Sequence, residues 1–204
     1  MKNISVLLFL LITLALNAQN NKTSGLNARQ FHKYWKVESE SPDYKVTFLG
    51  DTVEILSPKG LTLWRKEKMS GKVTIEYDAC VVVEVEGDRL SDLNCFWMAS
   101  DPQYPDNIWK REKWRSGIFL NCYSLQLYYM GYGGNHNSTT RFRRYDGNEA
   151  AITNAKARPA ILKEYTDADH LLEANKWYHI KITNENNRVS YYINGVRLVD
   201  FRDA

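Results

Sequence analysis

Residues 177–201 read WYHIKITNENNRVSYYINGVRLVDF. From Trp177 the chain alternates, with Tyr178, Ile180 and Ile182 on one side and Trp177, His179 and Lys181 on the other, the two-residue period of a half-buried strand. Residues 184–187 (NENN) supply a turn and residues 188–193 return. Asn194-Gly195 then closes a tight hairpin, because both turn positions tolerate positive φ. Residues 196–201 form the partner strand. Three antiparallel strands in a row point to a β-sheet protein.

The same punctuation continues upstream. Apolar runs at residues 53–56 and 61–64 flank the turn Ser57-Pro58-Lys59-Gly60. Residues 73–85 are rich in β-branched side chains and end at Gly87-Asp88. Further strand-like runs occupy residues 95–99, 118–122, 125–130 and 139–145. Short strands separated by turn signals predict an all-β sandwich of two antiparallel sheets. No long amphipathic helix or repeat is visible, and residues 167–172 offer at most a single helical turn.

At the other end, Lys2 precedes an apolar run from residue 4 to residue 16, followed by Ala-Leu-Asn-Ala ending at Ala18. This is the layout of a secretory signal peptide cut after Ala18, and the run is too short for a membrane span. The expected organisation is a signal at 1–18, a flexible segment at 19–30 and one domain at 31–204, in a periplasmic or secreted protein. After cleavage no membrane span is expected. With 27 basic and 24 acidic residues, net +3, the chain is too balanced for a nonspecific nucleic-acid binder. Cys80, Cys95 and Cys122 are an odd set in apolar surroundings. They read as small buried hydrophobes rather than a disulfide framework or a catalytic thiol, though one disulfide with a free thiol is compatible with the count.

The WYHIKI strand, its turn and VSYYINGVRLVDF resemble the late strands of concanavalin-like jelly rolls, a fold shared by laminin-G-like modules, many glycoside hydrolases and several polysaccharide lyases. SDLNCFWMASDP (residues 91–102), together with GYGGNHNSTTRFRRYDG (residues 131–147), resembles a family of secreted jelly-roll proteins from polysaccharide-degrading Gram-negative bacteria, largely of unknown function. The resemblance implies a jelly roll and a role in saccharide processing, without a roster of catalytic residues. Jelly rolls of this type follow the Asn-Gly hairpin with a further loop and a closing strand. The sequence stops at Ala204, so the expectation is either a truncated sequence that lacks that strand or a sandwich with an edge left open.

The densest chemistry lies in YYMGYGGNHNSTTRFRRYD, residues 128–146. Arg141, Arg143 and Tyr145 alternate and share one strand face. Cations, phenols and an imidazole around a glycine-rich turn suit an acidic sugar better than a neutral glycan or a nucleotide. β-Elimination from a uronate needs a group to neutralise the carboxylate, a base for the C5 proton and an acid for the oxygen leaving C4. Arginine's planar fork fits the first task, imidazole the second and a phenol the third. The expected roles are Arg141 and Arg143 on the carboxylate, His136 as base, and Tyr132 or Tyr145 as acid. Asn135 and Asn137 are expected to donate to sugar hydroxyls or the carboxylate. Tyr128, Trp97, Trp114, Arg115 and His179 are candidates for substrate binding.

The partner so implied is an acidic polysaccharide or oligosaccharide. No cofactor and no metal are expected, since arginine can neutralise the carboxylate and His170, beside Asp167 and Asp169, has no metal-ligand spacing. His32 carries no signal. Two other readings stay open. Glu84 and Glu86, or Glu76 and Asp78, share a strand face and could serve a hydrolase, although alternating acids also mark a solvated strand face. Interleaved aromatics and cations at residues 109–115 could form the rim of a non-catalytic carbohydrate-binding module.

Overall fold

The computed structural model of the protein describes residues 6–11 and 28–203. The expected cleavage point after Ala18 and residues 19–27 of the expected flexible segment lie outside the described residues. A short helix, α1 (Ala28–Tyr34), lies between the first strand and the rest. Strand β1 (Val6–Leu11) comes first in the chain. The next strands are β2 (Trp35–Ser39), β3 (Lys45–Leu49), β4 (Thr52–Ser57), β5 (Leu61–Arg65), β6 (Val73–Val82) and β7 (Leu93–Ser100). They are followed by β8 (Gln126–Gly133), β9 (Thr139–Asp146), β10 (Lys163–Tyr165), β11 (Trp177–Glu185), β12 (Arg188–Ile193) and β13 (Val196–Arg202).

A seven-stranded sheet runs β13-β12-β11-β6-β1-β4-β3, a four-stranded sheet runs β10-β9-β8-β7, and β2 pairs with β5. Every pairing is antiparallel. The all-β sandwich read from the sequence is therefore the fold. Its C-terminal hairpins follow the sequence pattern, with Ile180, Ile182 and Tyr191 fully buried and Asn194 and Gly195 both at positive φ.

The main core lies between the two large sheets. Trp97 packs at 6.0 Å from Phe142 and 6.1 Å from Tyr191, with Met130, Tyr132, Tyr178 and Ile180 around them. Each such side chain contributes about 1.5–3 kcal/mol by leaving water. A second core forms on the opposite face of the four-stranded sheet, where Trp64 of β5 stacks on Phe96 at 5.9 Å beside Tyr123, Tyr129 and Tyr145.

Three elements differ from the sequence expectation. Residues 118–122 are not a strand: Phe119–Ser124 is a 3-10 helix, and its Cys122 packs into the second core. Strand β6 ends at Val82 because the Asp88 carboxylate takes the backbone N–H groups of Glu84 and Val85, at 2.8 and 3.0 Å, and folds the chain into a turn. Glu84 and Glu86 are thus exposed turn residues, not neighbours on a strand face. Helix α1 also occupies residues 28–34, where the sequence shows no helical pattern, and buries Phe31 against Phe48.

Candidate functional site

The outward face of the four-stranded sheet carries the site. Register fixes its floor as a grid: Asn94, Gly131 and Arg141 stand side by side on β7, β8 and β9, and Phe96, Tyr129 and Arg143 form the next row. Tyr145 pairs with Leu127 in the third row. Arg141, Arg143 and Tyr145 do share one face, as their alternation requires.

Gly131 sits at the centre for a steric reason. Tyr129 leans over it so closely that a Cβ at residue 131 would lie 2.1 Å from the Tyr129 hydroxyl. That hydroxyl donates to Asn94 Oδ1 at 3.0 Å. The Tyr129 phenol thus covers Gly131 between Asn94 and Arg141, with Arg143 in the next row. The face opens into a groove of 1210 Å³ whose lining includes Trp64, Asn94, Trp109, Tyr129, Arg143 and Arg158.

The cations differ in their partners. Arg141 is tied to Glu164 of β10 at 2.5 Å. Arg143 donates to the Pro159 carbonyl, and Arg158 lies 5.7 Å over the Tyr123 ring. Neither Arg143 nor Arg158 forms an ion pair among the described residues. Both keep positive charge available to a ligand. The Tyr129 phenol is pushed well up by burial, with Asp92 and Tyr123 adding to the rise and Arg143 and Arg141 opposing it. Burial pushes the Tyr145 phenol higher still, aided by its neighbours Tyr123 and Tyr129. Both are proton donors rather than phenolates at neutral pH.

At the Gly131 end of the groove stands the 134–138 turn. Asn135, His136 and Asn137 all have positive φ, at 52°, 58° and 56°. Three successive left-handed residues are costly for L-amino acids, least so for asparagine. Side chains hold the turn: Asn137 grips the backbone of Leu172 through two 2.8 Å hydrogen bonds. Ser138 donates to the Asn135 carbonyl at 2.6 Å and accepts from the Asn135 amide at 3.0 Å. Asn135 lines the groove. His136 is exposed at the tip of the turn, outside the groove lining.

The other residues singled out from the sequence lie elsewhere. Tyr132 points between the sheets, 2 % exposed, donating to the Leu171 carbonyl and packing edge-on against Tyr178. Tyr128 also faces inward and donates to Asp203 at 2.6 Å; burial and that carboxylate push its phenol up to about 12. The Trp97 ring is in the main core. Arg115 is 0 % exposed and bound to Glu38 at 2.7 and 3.2 Å. Trp114 is exposed, with Arg111 stacked 5.1 Å away. His179 lies on the outer face of the seven-stranded sheet, paired to Asp78 at 2.9 Å.

Glu76 is held by Lys181 at 2.7 Å, so both acids of the strand-face pair have side-chain partners. His170 stacks on Tyr165 at 4.0 Å and bonds to Asp167 at 2.6 Å. Among the described residues no cluster of three metal-ligating side chains exists, and no helix is long and apolar enough to cross a membrane. All three cysteines are free thiols. Burial pushes Cys95 up to about 11 and Cys122 up to about 12, which leaves both neutral and unreactive.

Sequence reading missed Asn94, Tyr129 and Arg158. The signal for the first two was the strand phase, since Tyr129 shares a face with Arg143 only when β8 and β9 pair in this register. Arg158 comes from a connecting segment that carries no periodic pattern.

No curated protein and no solved structure matches the chain. A family model described as a domain of unknown function (DUF6250) matches residues 55–204, and the chain belongs to that family.

Proposed function

We propose that the protein is an exported carbohydrate-active enzyme that binds a uronate-containing polysaccharide or oligosaccharide in the groove over Gly131 and breaks it by β-elimination. One observation carries the reading: Asn94, Tyr129, Arg141 and Arg143 converge on one sheet face, and Arg143 has no carboxylate partner there. Arg143 takes the uronate carboxylate through its planar fork and so stabilises the charge that builds on it as the C5 proton leaves. His136, exposed at the tip of the 134–138 turn just beyond the groove lining, is the base for a sugar seated against that turn. As the C5–H bond breaks, its electron pair forms the C4–C5 double bond and the C4–O bond breaks. The Tyr129 hydroxyl, kept protonated by burial, gives its proton to the departing oxygen. Trp64 and Trp109 wall the groove where flanking sugars would lie. The leaving group is a sugar or, in a dehydratase variant, water.

A hydrolase is less well supported, because it needs two opposed carboxyl groups at the substrate. Here Glu164 is committed to Arg141, and Asp92 to Arg89. The test is to incubate the full chain with a panel of uronate polysaccharides and follow the ultraviolet absorbance of the unsaturated product. Absorbance that appears with the wild type and vanishes in Arg143→Ala supports elimination. New reducing ends without absorbance refute it in favour of hydrolysis. Retained binding with neither signal refutes it in favour of a non-catalytic module.

A further inference from the structure

Strand β1 occupies an unusual place. It lies inside the seven-stranded sheet, antiparallel to β4 on one side and to β6 on the other. Strand β4 is otherwise paired only to β3, and β6 only to β11. Without β1 the sheet would split into a four-stranded and a two-stranded piece separated by one strand width, about 10 Å between the flanking backbones. The walls of that gap belong to the buried part of the molecule: Leu8 is in register with Ile55 and Val81, and Leu10 with Val53 and Ala79. Those four neighbours are 0–2 % exposed. Two rows of backbone donors and acceptors face each other across the gap, and leaving them unpaired beside apolar side chains is costly.

The strand that fills the gap is VLLFLL, six residues without a polar side chain. It lies within the segment that the sequence reads as a cleavable secretory leader. The family region includes β6 and the second half of β4 but not β1. The β6 wall and half of the β4 wall are thus part of the shared domain, whereas the strand between them is not.

We propose that the gap between β4 and β6 is a strand-acceptor site. It takes one uncharged apolar strand of about six residues, antiparallel to both walls. Val6–Leu11 fills it in the full chain, and loss of the leader opens it to an apolar strand from a separate polypeptide. Backbone hydrogen bonds on both edges give the affinity, and the buried neighbours at the Leu8 and Leu10 positions exclude charge.

The test compares the full chain with one lacking residues 1–18, using as probe a VLLFLL peptide flanked by lysines. The truncated chain is expected to bind one peptide per molecule, with a higher Tm and new amide-exchange protection confined to β4 and β6. The same peptide carrying Phe9→Pro, which removes a central N–H, should bind at least tenfold more weakly. If the truncated chain does not fold alone, both peptides are added during refolding from denaturant. Recovery with the parent peptide but not the proline peptide supports the site, and equal recovery overturns it. A truncated monomer whose β4 and β6 amides are already protected and that ignores the peptide overturns the proposal. So does a truncated chain that protects those amides only by dimerising, since the occupant is then a second copy. Uronate turnover is not a readout, so these outcomes are independent of the proposed chemistry.

Discussion

His136 is held at φ 58°, a conformation in which a histidine loses about 1–2 kcal/mol relative to the right-handed region. Backbone strain of this kind clusters at functional sites. His136→Gly is expected to raise thermal stability by up to about 1 kcal/mol and at the same time to abolish product absorbance; a stability gain with full turnover would remove histidine from the mechanism. Gly131→Ala acts in the opposite sense. Its methyl group must displace the Tyr129 ring, at about 1–3 kcal/mol for an overpacked site, and uronate affinity should fall with it by calorimetry. The pairing of Arg141 with Arg143 on one face was legible from alternation alone. The tyrosine beside them was not, because a one-residue step along Tyr128-Tyr129 changes the face, and cross-strand register depends on how the 134–138 turn closes. The buried thiols add a pH prediction. Cys122 ordinarily titrates at 9.0 and is held at about 12 by burial. A raised folded value favours the neutral, folded state: its contribution is complete below pH 9 and is lost as the pH climbs toward 12. Thiol alkylation at pH 8 should therefore require unfolding, and the denaturation midpoint should fall between pH 9 and 12, less steeply in Cys122→Ala.

At the scale of elements, the groove depends on the 108–124 segment staying seated at one end of the sheet. Two arginines hold it. Arg115 is locked to Glu38 of β2, and Arg111 makes a bidentate pair with Asp101, at 2.8 Å through both nitrogens, and reaches Glu149 as well. Asp101 and Arg115 are both fully buried. Without Glu38, Arg115 keeps Asp101 at 4.0 Å, a carboxylate already bound by Arg111, so its buried charge is poorly compensated and Glu38→Gln should cost about 3 kcal/mol, read as a lower urea midpoint. A double replacement, Glu38→Met with Arg115→Met, should cost much less, because neither charge remains. Arg115 had looked like a rim cation in sequence because it interleaves with Trp109 and Trp114. Its carboxylate partner lies 77 positions away, a distance no local pattern reveals. The strands, by contrast, were legible because each carries its own two-residue period and its own turn. Residues 118–122 broke the rule: an apolar run of five has no period to separate a strand from a buried 3-10 helix.

The whole molecule carries a formal charge of only +3, and many of its surface cations are answered by nearby acids, as in Lys181 with Glu76, Arg144 with Asp203 and Arg188 with Asp200. Long-range attraction for polyanions should accordingly be weak, and duplex DNA should not be retained at physiological salt. Inside the groove Arg143 and Arg158 have no acid partner among the described residues and line the same space. A polyuronate seated there meets two guanidinium groups side by side with a hydrogen-bonding tyrosine and asparagine. Affinity for an acidic polymer should then decline as salt rises from about 0.05 to about 0.5 M, where the screening length shrinks from above 10 Å to a few ångströms. A neutral glucan of equal length should show weak, salt-independent binding. Arg143→Ala combined with Arg158→Ala should weaken polyuronate binding and flatten its salt dependence while leaving the unfolding free energy within about 0.5 kcal/mol of wild type per site, because both side chains are partly exposed and outside the ionic locks. A double variant that keeps the full salt dependence would move the acidic-ligand surface away from this groove, whatever chemistry the protein performs.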